Sequence, residues 1–175
     1  MTPPWQQLRL TVPRVGFVGS GSPMSPAQYR EVRDLLLGYA ATQVHHGDTP
    51  GADVQVHRLA DYLGLWRFVH PASDHGERAG LLLDAVYPVT TYANCLCSIV
   101  DATEALIIVL DGHEPGPSAG PWAAAGRAAT SDKVVTIVDQ DGTVRSTGSS
   151  SGKTRAAPRR DTSTPASTTS APGAV

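Results

Sequence analysis

Cysteine is scarce: Cys95 and Cys97 are the two in 175 residues. A C-x-C pair supplies neither a disulfide framework nor a complete zinc site, and both read as small, half-buried residues on a helix. Long apolar runs are missing as well. The longest unbroken stretch of large aliphatic side chains is residues 106–110, far short of the ~20 residues a membrane span needs. The opening Met1-Thr2-Pro3-Pro4-Trp5 lacks the apolar core of a secretory signal. The expectation is a cytoplasmic protein that does not engage a membrane. Positive charge is thin in the part able to fold. Residues 1–144 hold nine Lys and Arg against fifteen Asp and Glu, a net −6. Nucleic-acid binding requires clustered Lys and Arg, so this acidity argues against it.

The remaining charge lies at the other end. Residues 145–175 carry five basic residues against one acidic, a net +4, and 19 of them are Ser, Thr, Pro or Gly. Val175 is the one large aliphatic side chain there, too little apolar surface to offset the entropy of ordering. The chain therefore divides into a domain over residues 1–144 and a basic, disordered tail over 145–175. That tail, with Lys153, Arg155, Arg159 and Arg160, could lend weak, salt-sensitive adhesion to nucleic acid.

Within the domain the periodic signals alternate. Residues 12–18, rich in Val and Phe, read as a buried strand ending at Gly19-Ser20-Gly21. Ser25-Pro26-Ala27-Gln28 forms a capping box with Pro at the first helical position, and Leu35, Leu36 and Tyr39 give that helix its apolar stripe. A short strand over 43–45 leads to a second helix from Thr49-Pro50, on which Ala52, Val56, Leu59, Ala60 and Leu63 recur at helical spacing. Gly64 ends it. Residues 66–69 form a third strand, and 72–90 a long irregular loop. Residues 91–103 are helical and bury Leu96, Ile99 and Val100. Residues 105–110 form the most apolar strand, as at the centre of a parallel sheet covered on both faces. An alanine-rich helix over 122–129, a strand over 134–138 and a turn at Asp141-Gly142 close the domain. This order predicts an α/β fold, a three-layer Rossmann-like sandwich with a mainly parallel five-stranded sheet. Ligands of such sheets bind beyond the carboxyl ends of the strands, where strand order reverses.

The unusual residues fall at those ends. Gly19-Ser20-Gly21-Ser22 has the composition of a phosphate cradle, in which backbone N–H groups, hydroxyls and a helix start face an anion. It is neither G-x-G-x-x-G nor a Walker A motif, and a glycine-lined turn without a ligand is the plain alternative. The stretch from His46 to Asp53 sets Asp48 and Asp53 with Gly47 and Gly51 around one helix start, with His57 four residues on. Asp48 or Thr49 could cap that helix. Asp53 and His57 share a helix side and could form a hydrogen-bonded pair, meet a ribose hydroxyl or ligate a metal, though no third ligand is evident. His45, His70, His75 and His113 flank strand ends and read as loop residues. Gly116-Pro117-Ser118-Ala119-Gly120-Pro121-Trp122 is a second candidate anion loop, with Ser118 and Gly120 as donors and Trp122 as a pocket wall or a core anchor. Arg78 could meet a phosphate, or pair with Asp74 or Glu77.

With these loops in view, the chain resembles the SLOG superfamily, the Rossmann-like group of DprA-type DNA-processing proteins, LOG-type nucleotide phosphoribohydrolases and small YspA-like bacterial and phage proteins. The YspA-like pattern is matched from about residue 15 to 142. The carrying residues are Gly16-Phe17-Val18-Gly19-Ser20 with Met24-Ser25 and Gln28, then His46-Gly47-Asp48 with Gly51-Ala52-Asp53 and His57. His70-Pro71, Arg78-Ala79, Ile99-Val100-Asp101, Gly120 and Trp122 follow. The resemblance implies a non-catalytic binding module for a nucleotide or nucleotide-derived, ADP-ribose-like molecule. Its ligand-binding residues would be Gly19, Ser20, Gly21, His46, Gly47, Asp48, Gly51, Asp53, Arg78, Ser118 and Gly120, with no metal or cofactor. It leaves homo-oligomers open. An alternative is a phosphoribohydrolase-like N-glycosidase using Asp48, Asp53 or His57 as general acid or base; a second is DprA-like nucleic-acid binding. Departures weigh against hydrolysis. The LOG-type P-G-G-x-G-T-x-x-E signature is absent, Gly120 is followed by Pro121-Trp122-Ala123-Ala124-Ala125 without an acid, and Cys95 and Leu96 stand where related proteins carry Arg-Asn.

Overall fold

The computed structural model describes residues 14–82, 84–112 and 120–147. Along the chain run β1 (Arg14–Val18), α1 (Pro26–Gly38), β2 (Gln43–His46), α2 (Ala52–Tyr62), β3 (Trp66–Val69), β4 (Ala85–Val86), α3 (Tyr92–Ala102), β5 (Ala105–Val109), α4 (Gly120–Thr130), β6 (Val134–Val138) and β7 (Val144–Thr147). The strands form one sheet in the order β4-β3-β2-β1-β5-β6-β7. All neighbours are parallel except β6 and β7.

The sheet has seven strands rather than the expected five. Both extra strands carry too little pattern to be legible. β4 is two residues long and pairs with β3 through Phe68–Ala85 and Val69–Val86. β7 reads Val-Arg-Ser-Thr and gains its partner through a turn in which the Thr143 N–H donates to the Asp141 carboxylate at 2.8 Å. It runs to Thr147, three residues past the boundary drawn at 144; the remaining tail residues, 148–175, lie outside those described. Among the described residues no helix is long and apolar enough to cross a membrane.

Helices cover both faces. Val32 and Leu36 of α1 with Val56, Leu59 and Ala60 of α2 pack on Val15, Phe17, Val44 and Ile107. On the other side, Leu96, Ile99 and Val100 of α3 with Ala124 and Ala128 of α4 meet Val18, Leu106, Ile108 and Ile137. β5 is buried at every position, as a strand between two helical layers must be.

The predicted capping box forms: Gln28 N–H donates to Ser25 Oγ at 3.1 Å, and Ser25 N–H to Gln28 Oε1 at 2.9 Å. Gln28, only 2% exposed, does more than cap. Its Nε2 donates to the carbonyls of Leu110 at 2.6 Å and Val138 at 3.3 Å, tying the start of α1 to the ends of β5 and β6. Strand order reverses at β1, with β2, β3 and β4 on one side and β5, β6 and β7 on the other. The carboxyl end of β1 is therefore the switch point where a ligand crevice is expected.

Candidate functional site

At that switch point a small cleft opens between the ends of β1 and β2 and the first turns of α2 and α3. Gly19, Gly47, Asp48, Thr49, Asp53, His70 and Tyr92 form much of its lining, over an apolar floor that includes Phe17, Cys95 and Leu96. Its volume, about 20 Å³, suits a single water molecule. Tyr92 and Leu96 also line a second cavity of about 250 Å³ between α3 and α4, together with Ala93, Cys97, Gly120, Ala123, Ala124 and Arg127.

The glycines set how closely the loops approach. Gly51, at φ 96°, precedes α2 as its N-cap, and a Cβ there would strike the backbone of Gly21. A Cβ at Gly19 would fall 2.5 Å from Ala52 Cβ, and one at Gly47 2.5 Å from Asp53 Oδ2. The β1–α1 and β2–α2 loops are thus pressed together. Gln55 fastens the first loop through Oε1, which accepts from Met24 N–H at 2.5 Å. The N–H groups of Ser20, Gly21 and Ser22 carry no hydrogen bond among the described residues. Gly21 and Ser22 are exposed.

Neither Asp48 nor Thr49 caps α2, whose start has no side-chain cap. Asp48, 2% exposed, instead clamps the irregular loop that follows β3. Its Oδ2 accepts from Arg78 Nε and its Oδ1 from Leu81 N–H, both at 2.8 Å, while its carbonyl accepts from Ala79 N–H at 2.7 Å. Arg78 thus pairs with Asp48, 30 residues away, rather than with Asp74 or Glu77. Asp74 accepts from Tyr92 N–H at 2.6 Å at the start of α3.

Asp53 is 5% exposed. Its Oδ2 accepts from Thr49 Oγ1 at 2.6 Å and Thr49 N–H at 3.1 Å, leaving Oδ1 without a hydrogen bond among the described residues. Burial outweighs these two bonds and pushes the carboxyl up to about 6. The Asp53–His57 pairing is not formed. His57 Nδ1 meets His46 Nε2 at 3.0 Å, and His46 Nδ1 donates to the Gly47 carbonyl at 2.6 Å. With Nδ1 protonated, His46 Nε2 must accept, so His57 Nδ1–H is the donor. His46, fully buried, lies beneath the cleft rather than in it, and burial lowers it to about 4. Among the described residues no group of three or more His, Cys, Asp or Glu could hold a metal.

A second imidazole pair lies on the opposite face of β2. His45 Nδ1 meets His70 Nε2 at 3.0 Å, and His70 Nδ1 meets Ser98 Oγ at 2.9 Å. His45 stacks on Phe68 and His70 on Tyr87, with centroids 4.5 and 4.0 Å apart. Burial lowers His45 to about 4 and His70 to about 3, so both are neutral at pH 7. Cys95 donates its thiol to the His70 carbonyl at 2.9 Å, and burial pushes that thiol up to about 12.

The cleft thus brings together Gly19, Gly47, Asp48 and Asp53 of the expected set. Ser20 and Gly21 lie on the adjoining loop. Gly51 serves loop packing, His46 and His57 pair in the interior, and Arg78 is held by Asp48. Gly120 faces the second cavity, against the Tyr92 hydroxyl. Ser118 and His113 lie outside the described residues. Thr49, His70 and Tyr92 are lining residues that the sequence did not single out as such. The signals it offered were the place of His70 at a strand end and of Thr49 at a helix start.

No protein-family model matches this sequence, and no curated protein matches it. A solved structure does: the X-ray structure of TM1055, a Northeast Structural Genomics Consortium target, aligns over 70% of this chain and 72% of its own, with a TM-score of 0.51 and 15% identity. At that identity the likeness is one of fold, and the chain is an α/β protein built on a mostly parallel, Rossmann-like sheet.

Proposed function

We propose that the chain is a binding module for a nucleotide or nucleotide-derived small molecule, of the mononucleotide or ADP-ribose kind, held beyond the carboxyl ends of β1 and β2. The observation that carries this reading is Asp53. It is a buried carboxyl with one unengaged oxygen in a cleft at the switch point, a setting typical of sites that meet a polar ligand. The loop beside it supports the reading. Ser20, Gly21 and Ser22 offer successive N–H groups with no hydrogen bond among the described residues, the donor set by which an acidic domain can hold a phosphate without many cations. In this reading Asp53 accepts from ribose or base donors. Isothermal titration of the full chain with AMP and ADP-ribose is expected to show saturable binding, weakened in Asp53→Ala. Absence of heat with both ligands at millimolar concentration would overturn it.

One observation favours a second reading, a nucleotide N-glycosidase. A carboxyl raised to about 6 titrates near neutral pH, where general acid–base catalysis is most effective. Asp53→Asn would then abolish release of free base while retaining binding. If no nucleotide releases its base with the unmodified chain, this reading is retired and the binding module stands.

A further inference from the structure

We propose that the site reads a planar heteroaromatic ring stacked on Tyr92, and that His75 occupies that ring's place when no ligand is bound. This rests on the reading above and names the part of the ligand that the cleft alone leaves unassigned. Tyr92 opens α3 and is fixed there twice: its N–H donates to Asp74, and Thr91 Oγ1 caps the helix by accepting from Asn94 N–H at 3.3 Å. With Leu96, Tyr92 lines both the small cleft and the cavity of about 250 Å³. Its hydroxyl passes against Gly120, where a Cβ would strike it. Tyr92 therefore separates a polar chamber, holding Asp53 and Thr49, from a roomier one floored by Ala93, Leu96, Ala123 and Ala124.

The His75 ring lies almost parallel on Tyr92, with centroids 3.6 Å apart and planes 6° apart. His75 makes no hydrogen bond among the described residues, and it belongs to an exposed stretch, residues 73–78, beside Gly76 at φ 65°. Stacking is thus what seats it. A nucleobase presents a larger π surface to the same tyrosine face and adds polar edges that His75 does not bring to Asp53 Oδ1. At about 20 Å³ the small cleft does not hold a ring as it stands; on the Tyr92 face, displacing His75 from an exposed segment is the least costly way to make room. Asp53 and His75 already sense each other, His75 drawing the Asp53 carboxyl down against the effect of its burial.

The test titrates the full chain with AMP, adenosine and ribose 5-phosphate, in the unmodified protein and in His75→Ala, Tyr92→Phe and Tyr92→Leu. AMP and adenosine are expected to bind, with ribose 5-phosphate at least roughly tenfold weaker for want of a ring. His75→Ala should tighten AMP by removing the competitor. Tyr92→Phe should retain binding, and Tyr92→Leu should weaken it roughly tenfold or more. His75 is exposed, so its variant keeps the test decisive should Tyr92→Leu destabilise the fold. Ribose 5-phosphate binding as tightly as AMP, or AMP affinity unchanged in His75→Ala, overturns the ring inference and leaves the nucleotide-derived ligand in place. No binding by AMP, adenosine, ribose 5-phosphate or ADP-ribose removes both.

Discussion

Acid should unfold this protein through its histidines rather than its carboxylates. The perturbation is a fall from pH 7 to pH 5. Burial holds His45 and His46 at about 4 and His70 at about 3, against an ordinary 6.5. A base whose folded value is depressed gives its full stability above 6.5 and loses it as the pH falls toward the folded value. At pH 5 each unfolded imidazole gains about 2 kcal/mol from protonation that the folded one forgoes, about 6 kcal/mol for the three. His57, also lowered by burial, adds to the loss. Asp53 opposes it. Raised to about 6, it takes up its proton in the folded state first and returns about 1 kcal/mol at pH 5. The net loss is about 5 kcal/mol, against the roughly 5–15 kcal/mol that a domain possesses. The depressed acids Asp84, Asp101, Glu104 and Asp141 have ordinary values of 3.8 to 4.5 and matter only below this window. Urea unfolding at pH 7 and pH 5 and fixed ionic strength measures the difference directly. A change smaller than about 1 kcal/mol, or a rise in stability at pH 5, would refute the reasoning.

Three further outcomes follow from single contacts. Gln28→Leu keeps bulk but strips the Leu110 carbonyl of its Gln28 donor, leaves the Val138 carbonyl with the Leu110 N–H alone and opens the capping box; a loss of about 2–4 kcal/mol is expected by chemical unfolding. Gly47→Ala drives a methyl into Asp53 Oδ2 and should cost about 1–3 kcal/mol in the same assay, while weakening ADP-ribose in titration. In a thiol titration of the folded chain, Cys97 is expected to react, whereas Cys95, 2% exposed and pushed up to about 12, reacts only after denaturation.

What the sequence made legible was local. Ser25-Pro26-Ala27-Gln28 announced α1 because a capping box lies within four residues, and the unbroken apolar strand at β5 marked an interior strand of the sheet, beside the central β1. β4 escaped notice because two residues carry no period, and β7 because Arg145, Ser146 and Thr147 resemble the tail that follows them. The candidate site was legible as a place rather than as a set of contacts. Asp48 and Asp53 sit where the strand ends predicted, but the Asp48 partner is 30 residues away, in a loop with no pattern to read. His57 chose His46 across the strand–helix gap because Asp53 had turned back to Thr49. Tyr92 could not be assigned to the cleft before α3 was docked against β1.

The central claim is that a nucleotide-derived ligand sits at the carboxyl ends of β1 and β2. Amide chemical-shift mapping of the isotope-labelled full chain with ADP-ribose tests it most directly. The account predicts saturable shifts at Ser20, Gly21 and Ser22, at Gly47 through Asp53, and at His75 and Tyr92, all lost in Asp53→Ala. Shifts confined to other surfaces, or none at millimolar ADP-ribose, would contradict it.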